Sequence, residues 1–189
     1  ADYFVTEAGF GSELGAEKFF DIVCRVGGLK PDAVVMVVSI KALKRHGKGN
    51  DKAAVRRGLS NLDKHLENIS CFGAPVIVAI NTFPDDKNEE IDFVENYCLS
   101  KNIPVAVVDV WKHGGEGGIE LAGKLVSLID NKSSRFRYLY DVKLPVKEKV
   151  EIIAEKMYGA DRVVYTVAAE HDIRLCQELG LDKLPICIA

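Results

Sequence analysis

Short, nearly continuous apolar blocks alternate along the chain with longer stretches in which apolar residues recur at helical spacing. The blocks are Tyr3-Phe4-Val5, Ala33 to Val38, Pro75 to Ile80 and Pro104 to Val110, each rich in β-branched residues and bounded by Gly, Pro, Asn or Asp. A block apolar on both faces predicts a strand inside a parallel sheet covered on both sides. Between the blocks, Phe19, Phe20, Ile22 and Val23 predict one helix, and Val55, Leu59, Leu62, Leu66 and Ile69 form an i, i+4, i+7 stripe that predicts a second. Ile91, Val94, Tyr97 and Cys98 mark a third, and Ile119, Leu121, Leu125 and Leu128 a fourth. This rhythm predicts an open, mostly parallel α/β sheet with helices on both faces and right-handed crossovers. The polar run at 130–134 predicts a boundary, with a core over 1–132 and a C-terminal segment over 133–189. In that segment Pro145 to Met157 and Ala168 to Leu179 read as helices. The blocks 162–166 and 184–189 read as strands of a small α/β annex, the last stopping without cap or polar tail.

Composition narrows the classes. With 189 residues, 48% hydrophobic and 28% charged, the chain is neither disordered nor fibrous and has room for one core, or one core and an annex. A net charge of −3 argues against a nucleic-acid partner. The longest apolar runs fall far short of the ~20 residues of a membrane span, and residues 1–30 lack the order of a signal peptide, so no membrane partner is expected. Five widely spaced cysteines without a CxxC pair predict neither a zinc site nor a disulfide framework, and point to a reduced, cytoplasmic compartment.

In an open parallel sheet, ligands bind beyond the carboxyl ends of the strands, which singles out four loops. In Thr6 to Gly15, three glycines allow close backbone approach and the next helix offers free N–H groups to an anion. Glu7 at the strand tip suits Mg²⁺, directly or through water, and equally suits a local cap. Lys41 to Asp51 opens a basic cluster (Lys41, Lys44, Arg45, His46, Lys48, Lys52, Arg56, Arg57) that points to phosphate or a polycarboxylate. Lys41 and Lys44 lie nearest the strand tip; the rest read as a solvated face. In Asn81 to Asn88, Asn81 at the strand end is placed either to read a base or to fix the loop, and Phe83 is an aromatic in a polar loop. Trp111 to Gly118 holds the only Trp. If the third and fourth predicted strands are neighbours, Phe83 and Trp111 face one cleft and clamp a flat heteroaromatic ring; otherwise both cover the core edge.

With these residues the sequence resembles the formate–tetrahydrofolate ligase (10-formyltetrahydrofolate synthetase) family. The resemblance covers essentially the whole chain. It is carried by Thr6-Glu7-Ala8-Gly9-Phe10-Gly11 with Leu14-Gly15-Ala16-Glu17-Lys18-Phe19, Ile40-Lys41-Ala42-Leu43-Lys44, Ala79-Ile80-Asn81-Thr82-Phe83-Pro84, and Trp111 with Gly114-Gly115. It implies a Rossmann-like, P-loop NTPase-like sheet, ATP and Mg²⁺ as cofactors, tetrahydrofolate and formate as substrates, ligation through formyl phosphate, and a homo-oligomer in the full-length family. By position it implies that Phe83 and Trp111 sandwich the pterin, with Pro84, Gly114 and Gly115 lining that pocket. It further implies that Phe10 and Gly11 border the formyl phosphate beside Glu7, with Lys41 and Lys44 as anion ligands and Asn81 on the nucleotide.

The sequence departs from the family in two places. No GxxxxGK[ST] loop occurs: Gly47-Lys48 and Gly123-Lys124 lack the upstream Gly and the following Ser or Thr. Lys41 stands where Arg is usual, losing a bidentate fork, and Lys48 stands where a second consecutive Gly is usual. The expectation is an internal or C-terminal part of such a ligase, whether a truncated gene product, a proteolytic remnant or a laboratory truncation. It keeps much of the folate side, lacks the nucleotide side and does not turn over alone. Two other classes stay open: a non-catalytic folate-binding or subunit-interaction module, and a Rossmann-like dinucleotide binder. Against the latter, no GxGxxG follows a first strand with an acidic residue about 20 positions on.

Overall fold

Three of the predicted strands form, and all three pair in parallel: β1 (Val34–Val38), β2 (Val76–Asn81) and β3 (Val105–Val108), in the order β1-β2-β3. In chain order the helices are α1 (residues 11–27), α2 (Ile40–His46), α3 (Lys52–Phe72), α4 (Asn88–Ser100), α5 (Val110–His113), α6 (Ile119–Asn131), α7 (Val146–Tyr158) and α8 (Val167–Glu178), with a 3₁₀ segment at Gly114–Gly118. This computed structural model describes residues 1–188 and divides into two compact units, Pro31–Phe136 and Ala1–Lys30 with Arg137 onward. The expected boundary at 132/133 lies four residues from the crossing at Phe136; the crossing at Lys30 has no counterpart in the expected division.

In the 31–136 unit the period-2 pleat divides the sheet residues between two covers. Val38, Val78, Ile80 and Val105 share one core with Val55, Leu59, Leu62 and Leu66 of α3 and Val94 and Cys98 of α4. On the other face Ile77, Ala79, Ala106 and Val108 are buried, and α6 packs on β2 and β3. β1 and β3 are both edge strands; β3 stays covered, whereas β1 departs from the expected cover on both faces, with Val37 exposed. The stripe predicted for α3 is its buried face, started by Asp51, whose Oδ1 accepts from the Ala54 N–H at 2.9 Å, and ended at Gly73 with φ +74°.

Several expectations are corrected. Tyr3-Phe4-Val5 makes no ladder; it is exposed and has no partner strand among the described residues. The segment Lys41–Asp51, expected as a loop, starts as helix, since α2 runs over Ile40–His46. Ser39 Oγ accepts from the Ala42 N–H at 3.2 Å, so the chain turns into α2 directly after β1. β3 ends at Val108 rather than Val110 because Asp109 caps α5. The blocks 162–166 and 184–188 form no strand either; Thr166 caps α8 through the Ala169 N–H, and the Ile186 N–H donates to Tyr140 Oη at 2.8 Å. Ala189 lies outside the described residues. The 137–188 part is helical among the described residues, its predicted helices present as α7 and α8.

The α2–α3 pair packs backbone to backbone. A Cβ on Gly58 would lie 2.1 Å from Leu43 O, so only glycine permits this crossing. Gly58→Ala is expected to destabilise the unit by about 2–3 kcal/mol through overpacking. Urea denaturation of the full chain checks this; an unchanged midpoint would contradict the packing described.

Candidate functional site

At the carboxyl end of the sheet, α2 follows β1 with Lys41 exposed on its first turn. Lys44 is not free. Its Nζ lies 2.7 Å from Oε2 of Glu90, which is 1% exposed in the first turn of α4, where the helix dipole also favours an acid. Of the two lysines expected to meet an anion, Lys41 is open and Lys44 ties α2 to α4.

Asn81 is the last residue of β2, and its Oδ1 is buried without a hydrogen-bond partner. Thr82 continues the pairing: its N–H and its hydroxyl both donate to Val108 O at 3.0 Å. The chain then turns tightly. The Phe83 N–H donates to Asp86 Oδ2 at 2.9 Å and the Asp86 N–H to Phe83 O at 3.0 Å, holding Phe83 41% exposed beside the exposed Pro84.

Beyond β3, Asp109 organises the next loop. Its Oδ1 accepts from the Lys112 N–H at 3.3 Å, its backbone O from the His113 N–H at 3.0 Å, and its own N–H donates to Gly117 O at 3.2 Å. A Cβ on Gly117 would lie 2.3 Å from Asp109 O, so the glycine run lets the segment fold back on itself. This presents Trp111 on α5 with 64% exposure, followed by exposed Gly114, at φ +56°, and Gly115. β2 and β3 are neighbours, so Phe83 and Trp111 follow adjacent strands; no ring contact joins them.

In the other unit, Glu7 and Phe10 line a cleft of about 380 Å³, with Gly9, Leu14, Lys18 and Phe19. That volume lies at the small end of ligand sites. Phe10 is fully solvent-facing, Glu7 is exposed, and Gly11, at φ +76°, stands next to the cleft rather than in its lining. The wide turns of α1 begin with a Gly15 N–H to Phe10 O bond of 3.3 Å. A Cβ on Gly15 would lie 1.7 Å from Gly9 O, so glycine is required there.

Sequence reasoning missed Lys18, the cleft's one cation, which is half-buried one turn past Gly15. It also missed Glu17 and Asp21, both fully buried on α1. Burial first, then the Asp21 charge, raises the Glu17 carboxyl to about 8. Burial raises Asp21 as well, opposed by the Leu139 N–H and the Arg25 guanidinium. All five cysteines are free. Among the described residues no group of three acidic, His or Cys side chains gathers to hold a metal, and no helix is long and apolar enough to cross a membrane.

Removing the Lys44 ammonium leaves Glu90 buried without its counter-ion. Lys44→Ala is therefore expected to cost about 3 kcal/mol of stability, and Glu90→Gln in the same chain to recover most of it. Denaturant unfolding of both variants checks this; equal midpoints for wild type and Lys44→Ala would contradict it.

Among solved structures, translation elongation factor SelB from Methanococcus maripaludis, in complex with the GTP analogue GppNHp, is similar to 56% of this chain at 21% identity, with a TM-score of 0.36. The chain spans 22% of the length of that protein. The family model described as formate–tetrahydrofolate ligase matches residues 1–189, and by that match over its whole length the chain belongs to the formate–tetrahydrofolate ligase family.

Proposed function

We propose that the loops after β2 and β3 bind the pterin of tetrahydrofolate, and that the chain serves the folate side of an ATP-dependent ligase. The observation that carries the reading is the adjacency of β2 and β3, which sends Phe83 and Trp111 outward from neighbouring strands. Two exposed aromatics at one sheet edge offer a pterin the offset stacking that flat heteroaromatic rings favour. Asn81 supports it, since a buried acceptor without a donor is costly and is satisfied by an amino group on a ring. Pro84, Gly114 and Gly115 are exposed around these aromatics, and none of them places a large side chain there.

In the reaction proposed, a formate oxygen takes the γ-phosphoryl group of ATP, releasing ADP; N10 of tetrahydrofolate then attacks the formyl carbon and phosphate leaves. Phe10 and Gly11, with the ammonium of Lys18, are assigned to the small formyl-bearing anion, and Glu7 to the wall of the same cleft. Their part is positioning and charge, not covalent chemistry. The residues present fit the triphosphate poorly: Lys44 is held by Glu90, and the sequence contains no GxxxxGK[ST] loop. No step is therefore assigned to residues of this chain acting on the nucleotide or on Mg²⁺. The chain alone is expected to bind tetrahydrofolate without forming 10-formyltetrahydrofolate.

Trp111 is the only tryptophan, so its emission reports on the clamp directly. Titration with tetrahydrofolate is expected to quench it saturably. Phe83→Ala is expected to weaken binding about tenfold, in line with loss of ~1.4 kcal/mol of stacking and burial. Unchanged emission across the titration would overturn the folate assignment.

A further inference from the structure

We propose that Glu17 and Asp21 share a single proton at neutral pH, and that this carboxyl–carboxylate hydrogen bond braces α1, which lines the cleft through Lys18, Phe19 and Val23. Glu17, Phe20, Asp21 and Cys24 follow one another at i, i+3, i+4 and i+7 and form the buried stripe of α1. Two acids thus occupy positions that an amphipathic helix reserves for apolar side chains.

Asp21 is partly answered. Its Oδ1 accepts from the Leu139 N–H at 2.9 Å and from Arg25 Nη2 at 3.2 Å, and that guanidinium also donates to Tyr140 O at 2.9 Å. Glu17 Oε1, Glu17 Oε2 and Asp21 Oδ2 meet no donor. Glu17 and Asp21 lie within reach of each other, one helical turn apart. As two carboxylates they would present only acceptors and would repel in a dry site. One proton between them supplies the missing donor and leaves a single negative charge facing Arg25.

Among the described residues no cation hydrogen-bonds Glu17. Lys18 is on the cleft side of α1. From the other elements packed here come Tyr138 and Tyr140, which flank Arg25, and Tyr158 of α7, whose hydroxyl donates to Glu13 O at 3.4 Å. The ammonium of Lys149, also on α7, is spent on the carbonyls of Val142, Asp182 and Leu184. The Cys24 thiol beside Asp21 is pushed up by burial and by that charge, so it stays neutral.

The folded state then binds a proton that the unfolded chain has already released above the ordinary carboxylate range. Stability is full at low pH and falls as pH rises through the raised value for Glu17. The inference stands whatever the cleft binds.

The test uses the full chain, with unfolding followed by circular dichroism, because Trp111 lies in the other unit. Wild type is expected to lose at least about 5 °C in Tm between pH 6 and pH 9. Glu17→Gln keeps a donor without a titrating proton. It is expected to stay within about 2 °C of wild type at pH 6 and to lose at least half of the pH dependence. A variant with the wild-type pH slope overturns the proposal. Infrared spectroscopy of the wild type decides independently of how the variant folds. A protonated-carboxyl carbonyl band at pH 7 that disappears on raising the pH supports the shared proton, and its absence at pH 7 overturns it.

Discussion

Thr82 gives both its N–H and its hydroxyl to one carbonyl, Val108 O, just beyond the point where Asn81 stands opposite Val108. This doubled bond fixes the level at which β2 and β3 stop pairing, and with it the origin of two loops. A slip of one residue would exchange Ile80 with Ala79 and put the wrong side chain on each face. The small pair Ala79 and Ala106, opposite each other in register, keeps the α6 side of the sheet shallow, while Ile80 and Val107 face the larger helix layer. The aromatics beyond the strands inherit this geometry. Phe83 is set by its turn with Asp86, and Trp111 by the bonds that converge on Asp109.

What the sequence shows of this fold follows a physical line. β-branched runs were strands where a second run lay alongside, as in β1, β2 and β3. The same pattern at Tyr3–Val5 and 162–166 made none, because an apolar block records a capacity to pair and says nothing of the partner. α2 carried a readable signal, Ser39 ahead of Ala42-Leu43-Lys44, that its positive charges obscured. The exposure of Phe83 and Trp111 was legible, because an aromatic in a polar loop has little apolar surface nearby to cover it. Lys44 was not: its partner Glu90 lies 46 positions away, and no local pattern reveals such a pair.

Buried charge is handled in three ways in this chain. Lys44 and Glu90 neutralise each other across two helices. Lys149, fully buried, is solvated by three carbonyls in place of water, and burial lowers its pKa. Asp21 takes a guanidinium and a backbone N–H. Desolvating an ion costs several kcal/mol unless such partners answer it, and Glu17 alone among these has none. A carboxyl in that position is held neutral far more cheaply than it is ionised, and this ties the packing of α1 to a proton.

One departure from the residues expected of the family, Lys48, falls where backbone freedom matters. Lys48 follows α2 at φ +55°, a left-handed conformation that glycine enters freely and a side chain enters at a cost of about 1 kcal/mol or more. The loop holds that conformation from both sides. Arg57 Nε bonds Gly47 O at 2.8 Å, and the Lys48 and Gly49 N–H groups donate to Arg45 O and Lys44 O at 3.2 Å each. The helix packing beneath is equally demanding, since a Cβ on Gly47 would lie 1.8 Å from Ala54 O. A lysine is thus tolerated at position 48 because its neighbours, not its own preference, fix the turn, and its charge is left on the surface beyond the carboxyl end of β1.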